Sequence, residues 1–477
     1  MQRTKIKWLL IFGLVVVSIF IGYLYFKGIG VDFFQTPLFD QIAEIFNIVF
    51  TINIGFIAIF IFLENKNPSK TIAWLLVLFL LPWVGFVFYI IFGRTTFKKK
   101  QLADKGLKDP LYLNQTAQMQ MDTLNSIDLE TDTKDVKKLI NLLLKNSSSI
   151  ITSNNNVEVL TNGEATFSNM LEAIINAKHH IHLEYFIIKD SEIGEEFKRL
   201  LIKKAKEGIE VRIIYDAVGC WKLSDAFIND LAGAGVDIHP FHPVFFPLLS
   251  RDLNHRNHRK ILVVDGKVGF VGGLNIGDEY LGKNEKMGFW RDTHLKITGE
   301  ATSILQLIFF SGWEHVVKEK LPFNMKYYPP FESEGDTLMQ IAASGPDSNW
   351  FNIMQAYFKM INIAQNRIWI STPYLVPNEA VLLALKTAAL SGVDVRIILP
   401  SKADHFTVYW ASQDNIEGLL EAGVKIYKYQ NGFIHAKILL IDDICVSVGT
   451  ANLDYRSLEL NYEVNAFIYD KNIVGKI

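Results

Sequence analysis

The sequence predicts an α/β protein made of one unit repeated twice, set behind N-terminal transmembrane helices. Three observations predict it. Three long uncharged runs crowd the first hundred residues. From about residue 157, β-like and helix-like runs alternate. The second half of that region then repeats the first, segment by segment.

The apolar runs come first. They are 8–26, 45–63 and 71–92, within a membrane region of residues 1–100. Each is long enough to cross a hydrocarbon core of about 30 Å. Hydrophobic residues make up 49% of the chain and mean hydropathy is +0.17, which fits a part-membrane chain better than a wholly soluble one. The run after Arg3, Lys5 and Lys7 lacks a small-x-small cleavage pattern, so it reads as an uncleaved anchor rather than a signal peptide. Those charges place the N-terminus inside, Asp32, Asp40 and Glu44 place the next loop outside, and Lys66 and Lys70 return inside. Arg94, Lys98, Lys99 and Lys100 also favour the inside, which requires the third run to turn back near Pro82 as a re-entrant hairpin. The rest of the chain is then cytoplasmic.

Residues 101–156 form a polar linker in which "DVKKLINLLLK" has the spacing of an amphipathic helix. The repeated units follow, at 157–325 and 335–477. "AKHHIHLEYFII" from Ala177 pairs with "AQNRIWISTPYLV" from Ala364, and "KEGIEVRIIYDA" from Lys206 with "LSGVDVRIILPS" from Leu390. "GAGVDIHPF" from Gly233 pairs with "EAGVKIYKY" from Glu421. Helical runs close on Gly208 and Gly392 before a strand begins. The first unit alone inserts an apolar, proline-bearing loop, Pro243 to Asn257, which could touch lipid or pack on its own core. The second unit has only "KNIVGKI" where the first enters the helical run "ATSILQLIFFSGWEHV". That pattern allows either a missing C-terminal helix or a version that ends early.

The chemistry sits in the repeat. "NHRNHRKILVVD" ends at Asp265 and "FIHAKILLID" ends at Asp442. His258, Lys260, Asp265, Gly272, Gly273 and Asn275 match His435, Lys437, Asp442, Gly449, Thr450 and Asn452 at identical offsets. One His-x-Lys with a later Asp is weak; two copies extended this far inside a wider repeat are strong. Residues two apart on a strand face the same side, so His and Lys of each copy point at one place. Lysine supplies positive charge to a phosphate. Imidazole serves as nucleophile or general acid near neutral pH. Two histidines suit a two-step phosphoryl transfer, one attacking and one protonating the leaving group. The Asn amides can donate to phosphoryl oxygens as charge builds there. Asp265 and Asp442 close their strands, where a structural turn role competes with direct chemistry. His255, Arg256 and Arg259 make the first copy unusually basic, and one of them is expected on a phosphate or headgroup. His179, His180, His182, His239 and His242 read as packing or hydrogen-bonding residues.

Net charge is −2, which gives no general basic surface for nucleic acid. Cys220 and Cys445 are the only cysteines, too few for a disulfide framework and without a CxxC pattern. The sequence has neither an HExxH metal motif nor a Walker A loop, so no metal, nucleotide or other cofactor is expected.

Over about 157–477 the doubled motif resembles the phospholipase D superfamily, whose signature is HxKxxxxD followed by G(G/S)xN. "NPSKTIAWLLVLFLLPWVGFVFYIIFGR", "NHRKILVVDGKVGFVGGLNIGDEY" and "GTANLDYRSLELNYE" are similar to segments of bacterial cardiolipin synthases. The resemblance implies two α/β lobes with an active site between them. It gives His258, Lys260, Asp265, His435, Lys437 and Asp442 as catalytic, with Asn275 and Asn452 supporting. It also implies that Asp292 in "FWRDTHLKI" and Glu463 in "NYEVNAFIY" orient the histidines. The implied reaction joins two phosphatidylglycerols into cardiolipin and glycerol at a cell membrane, through a phosphatidyl-histidine. A hydrolase making phosphatidic acid, or a transferase using another alcohol, shares every one of these residues. Thr450-Ala451 departs from the family's usual serine but keeps a hydroxyl, and the run 8–26 is additional to the two hydrophobic segments of many relatives. Acyl preference, oligomeric state and the attacking histidine stay open at this level.

Overall fold

The computed structural model describes residues 44, 55, 58–59, 68–81, 85, 88–89, 111–123, 134–244, 254–283, 287–319, 324–331, 335–402, 404 and 406–477. The run 8–26, most of 45–63, the turn predicted at Pro82 and residues 245–253 of the inserted loop lie outside the described residues. Within 71–92, the helix Pro68–Leu80 is described and has 13 residues. Among the described residues no helix is long and apolar enough to cross a membrane. The chain divides into two compact units, residues 1–100 and 101–477.

The larger unit holds two main sheets. The first half gives β1 (Ile151–Thr152), β2 (Asn155–Thr161), β3 (His180–Tyr185), β4 (Glu210–Asp216), β5 (Asp237–Phe241), β6 (Lys260–Val264), β7 (Val268–Gly272), β8 (Trp290–Arg291) and β9 (Thr293–Gly299). The second gives β10 (Met339–Ser344), β11 (Arg367–Ser371), β12 (Leu375–Val376), β13 (Asp394–Pro400), β14 (Lys425–Tyr429), β15 (Phe433–Ile434), β16 (Ile438–Ile441), β17 (Cys445–Gly449), β18 (Leu453–Asp454) and β19 (Glu463–Ile468). One sheet runs β2-β9-β7-β6-β3-β4-β5. The other runs β10-β19-β17-β16-β11-β13-β14, with β1 added at its β10 edge. The duplication read from sequence is therefore a duplication of sheet topology.

The strands follow from their side chains. β3 and β6 are buried along their whole length; β6 is apolar after Lys260, whereas β3 alternates Ile181, Leu183 and Tyr185 with His180, His182 and Glu184, whose buried polar groups find partners such as Gln306 and Asn257. The helices Glu192–Lys206 and Glu379–Leu390 are followed by Gly208 (φ +87°) and Gly392 (φ +95°), which supply the left-handed turn into the next strand. The linker helix Lys134–Ser147 buries Val136, Leu139, Ile140, Leu143 and Leu144, one stripe at helical spacing. It packs on the second half, where Asn146 Nδ2 donates to Gln355 Oε1 at 3.1 Å.

The two halves share one core. Val263, Val271, Leu295 and Ile297 of the first sheet lie in the same buried cluster as Ile341, Val446, Val448 and Val464 of the second. Ile304 and Leu305 of the helix Glu300–Val317 join it. This shared core fixes one set of strand ends against the other. Both cysteines are buried and unpaired.

Candidate active site

Each half reaches across to the other at the strand ends. β15, just before His435, pairs in parallel with β8, just before Asp292, and His435 N donates to Arg291 O at 2.8 Å. The mirror arrangement joins Asn257 to Tyr462: His258 N donates to Tyr462 O and Tyr462 N to Arg256 O, both at 2.9 Å. Two short backbone ribbons thus carry each histidine to the acidic residue of the opposite half.

The side chains complete the exchange. His258 Nδ1 bonds Glu463 Oε2 at 2.9 Å, and His435 Nδ1 bonds Asp292 Oδ2 at 2.7 Å. Holding Nδ1 on a carboxylate leaves Nε2 of each ring as the reactive nitrogen. Spacing alone gave the two acids similar places in their own units; which acid serves which histidine is set only by the crossing ribbons.

The two pairs are unequal, and the motif position after the glycine is the reason. Thr450 Oγ1 donates to Glu463 Oε2 at 2.5 Å, and Asn461 Nδ2 donates to the other oxygen at 3.3 Å. Burial pushes Glu463 upward, but His258, Lys260 and Thr450 together hold it below the ordinary carboxylate range. The matching residue in the first half is Gly273, where an added Cβ would stand 2.2 Å from Asp292 Oδ1. Asp292 receives the Thr293 amide at 2.7 Å but no hydroxyl there, and burial lifts it to about 6. Burial also draws His258 down to about 4 and His435 well below its usual value, His435 being further opposed by Lys437, Lys260 and His258. The two crossing ribbons, each ending in a histidine bonded to an acid of the opposite half, bring both histidine–lysine pairs to the same strand ends.

Lys260 and Lys437 are buried beside the rings. Lys260 Nζ donates to His258 O at 2.6 Å; Lys437 Nζ donates to His435 O and lies 2.8 Å from His435 Nδ1. Burial draws Lys437 down to about 8 despite Asp292 and Glu463, and draws Lys260 well below the ordinary lysine range. Phe186 forms one wall, with its ring 4.8 Å from His258. Asn275 is buried and donates to the Tyr280 hydroxyl at 3.0 Å, which itself lies 3.5 Å from His435 Nδ1. Tyr280 was missed in the sequence, although it stands five residues past the motif asparagine; its counterpart in the second half is Ser457. Asn452 is buried too, and its Oδ1 has no partner among the described residues.

Asp265 and Asp442, grouped with the catalytic residues by sequence, are placed elsewhere. Asp265 accepts the backbone amides of Lys178, His179 and His180 at 2.8–2.9 Å. Asp442 accepts those of Gln365, Asn366 and Arg367 at 2.7–2.9 Å. Both sit at positive φ in the hairpin turn, at the far end of the strand from its lysine. Asp265 is five residue steps along the chain from Lys260, about 16 Å in an extended strand. Each carboxylate ties a hairpin turn to the start of β3 or β11, which is the structural role.

The basic cluster also departs from expectation. Arg256 is locked in a buried ion pair with Asp216, with an NH2-to-Oδ1 distance of 2.8 Å. Arg259 alternates to the face opposite His258 and is buried near Glu184 and Tyr462. His255 is buried, with its Nδ1 3.2 Å from Leu460 O. His180 and His182 bond Gln306 beneath the sheet, as packing residues do. Among the described residues no group of three or more His, Cys, Asp and Glu is placed to hold a metal.

Comparison with known proteins adds to this geometry. Residues 170–308 and 357–477, more than half of the chain, match the family described as cardiolipin synthase, PLD-like domain, and residues 48–94 match phospholipase D-nuclease N-terminal. The chain is 47% identical to a cardiolipin synthase of Halalkalibacterium halodurans, over 90% of this chain and 85% of that protein. It is 46% identical to a cardiolipin synthase of Geobacillus kaustophilus, over 92% and 87%. Among solved structures, a phosphatidylserine synthase from Haemophilus influenzae superposes with a TM-score of 0.54 at 16% identity, over 71% of this chain and 88% of that one, which is a likeness of fold.

Proposed function

The chain belongs to the cardiolipin synthase family with a phospholipase D-like domain, and from that premise we infer that it is a phosphatidyltransferase whose product is cardiolipin. Phosphatidylglycerol is both donor and acceptor in this reading, and glycerol is released. The observation that carries it is the pair of histidines in one site, each with Nδ1 on a carboxylate from the opposite half.

His258 Nε2 attacks phosphorus of the first lipid. The bond from phosphorus to the terminal glycerol oxygen breaks, and that oxygen takes a proton from His435 Nε2. The hydroxyl of a second phosphatidylglycerol then returns a proton to His435 as its oxygen attacks phosphorus, and the phosphorus–nitrogen bond breaks. One phosphodiester is lost and one is made, so no nucleotide is consumed. The inequality of the acids favours this order of roles. Glu463 is held ionised and can support a positive charge on His258. Asp292, 2.7 Å from His435 Nδ1, can support that ring while it carries the proton for the leaving oxygen. Lys260 and Lys437 offset the phosphate charge. The apolar runs 8–26, 45–63 and 71–92 anchor the chain in the cell membrane, and the charge pattern favours a cytoplasmic catalytic unit.

The test is purified protein in micelles of detergent and phosphatidylglycerol, with EDTA, and products resolved by mass spectrometry. Cardiolipin with equimolar glycerol is expected, and His258→Asn abolishes both. Phosphatidic acid as the sole product would replace the transferase with a hydrolase.

A further inference from the structure

We propose that the active-site end of residues 101–477 rests directly on the lipid bilayer, with Trp221, Trp350 and Trp410 seated among the headgroups. The proposal rests on the phosphatidyl-transfer reading and adds the surface through which lipid reaches the site.

Six tryptophans follow residue 101. Three of them are more than half exposed: Trp221 at 76%, Trp410 at 57% and Trp350 at 56%. Exposing one indole is ordinary; exposing three at one end of a fold is not. Each belongs to a segment leaving a strand at the end that carries the histidines. Trp221 lies in the turn after β4, whose Cys220 thiol donates to Phe186 O at 3.4 Å, and Phe186 packs on His258. Trp350 lies between β10, whose last residue Ser344 pairs with Glu463, and the helix Asn352–Ile363. Trp410 lies near the start of the helix Phe406–Glu421, which follows β13; Ser412 of that helix accepts the Leu375 amide at 3.1 Å. Indole has an apolar body and an N–H donor, which suits the boundary between headgroups and acyl chains. Lys222 stands beside Trp221 with its ammonium 5.6 Å from the ring, where a lipid phosphate would meet it. A phosphodiester lies at that same depth, so docking here delivers the reacting group to the strand ends without extracting the acyl chains.

Both native cysteines are buried, so a thiol-specific nitroxide reports an introduced cysteine alone. The full chain carrying Trp350→Cys or Trp410→Cys is reconstituted into phosphatidylglycerol vesicles, and collision with oxygen is compared with collision with a water-soluble nickel chelate. Both labels are expected to favour oxygen, whereas a label at Trp369→Cys, on the exposed face of β11, favours nickel. Either rim label remaining nickel-accessible overturns the proposal. In parallel, the triple variant Trp221→Ala, Trp350→Ala, Trp410→Ala is expected to lose about 10-fold in cardiolipin formation on vesicles while keeping its rate on monomeric short-chain phosphatidylglycerol within about twofold. Equal loss on both substrates, or none on vesicles, also overturns it. The label readout needs no turnover: embedded labels with no cardiolipin formed would refute the transferase reading and leave the docking surface standing.

Discussion

Replacing Thr450 by valine removes one hydroxyl from a site of otherwise unchanged shape. In the wild type that hydroxyl donates to Glu463 Oε2 at 2.5 Å, the same oxygen that accepts from His258 Nδ1 at 2.9 Å. A hydrogen bond to a charged group contributes about 1.5–3 kcal/mol. Its loss destabilises the carboxylate and so raises the pKa of Glu463, by about 1–2 units if the whole term falls there. Glu463 starts below its ordinary value, so it stays largely ionised at pH 7 in the variant. The effect therefore appears on the acid side: the acid limb of kcat/KM for cardiolipin formation moves to higher pH by about 1–2 units. Whatever part of that energy goes instead to orienting His258 lowers the plateau, by about 10- to 150-fold at most if all of it does. Val464 N, which donates to Thr450 Oγ1 at 2.9 Å, loses its acceptor, so Tm falls too. Thr450→Ser keeps the donor and the acceptor, and should restore the acid limb. A folded valine variant with the wild-type acid limb would refute the claim that this hydroxyl sets the His258–Glu463 pair.

Three further outcomes are expected. Gly273→Ala puts a Cβ 2.2 Å from Asp292 Oδ1, so the carboxylate must leave His435; kcat should drop about 100-fold with the circular dichroism spectrum unchanged. Asp265→Ala strips three amides of their acceptor at the end of the sheet away from the site; denaturant titration should show a loss of about 2 kcal/mol or more while turnover per folded molecule stays within about threefold. Lys437 carries its charge only below about 8, where burial has drawn it. As pH rises through that value the charge is lost, so KM for phosphatidylglycerol should climb above pH 8 rather than near the usual lysine range, and a KM flat from pH 7 to 10 would contradict it.

Much of this protein was legible in its sequence because the information is periodic. Strand runs, helix stripes such as Val136 to Leu144 and the glycines at 208 and 392 are local signals, and local sterics enforce them. The repeat of His258 and Lys260 by His435 and Lys437 was visible because a duplicated gene segment keeps its spacing. What spacing could not show was partnership across the two halves. Residues 205 and 143 positions apart become hydrogen-bonded pairs only when the ribbons 256–258 with 462 and 289–291 with 433–435 form. The same limit explains Asp265 and Asp442: a motif lists residues in order but not the end of the strand at which each side chain finds its donors. It explains Arg256 as well, whose charge looked available for phosphate until the fold laid Asp216 against it.

The sequence by itself determined the duplicated α/β class, the two histidines with their lysines and the phosphoryl chemistry those groups can perform. The tertiary structure decided that each histidine takes its acid from the other half. It also decided that Thr450 and Gly273 make those two pairs unequal. Proton affinity depends on what stands within a few ångströms of a buried group, and a shared core brings distant parts of the chain to that range.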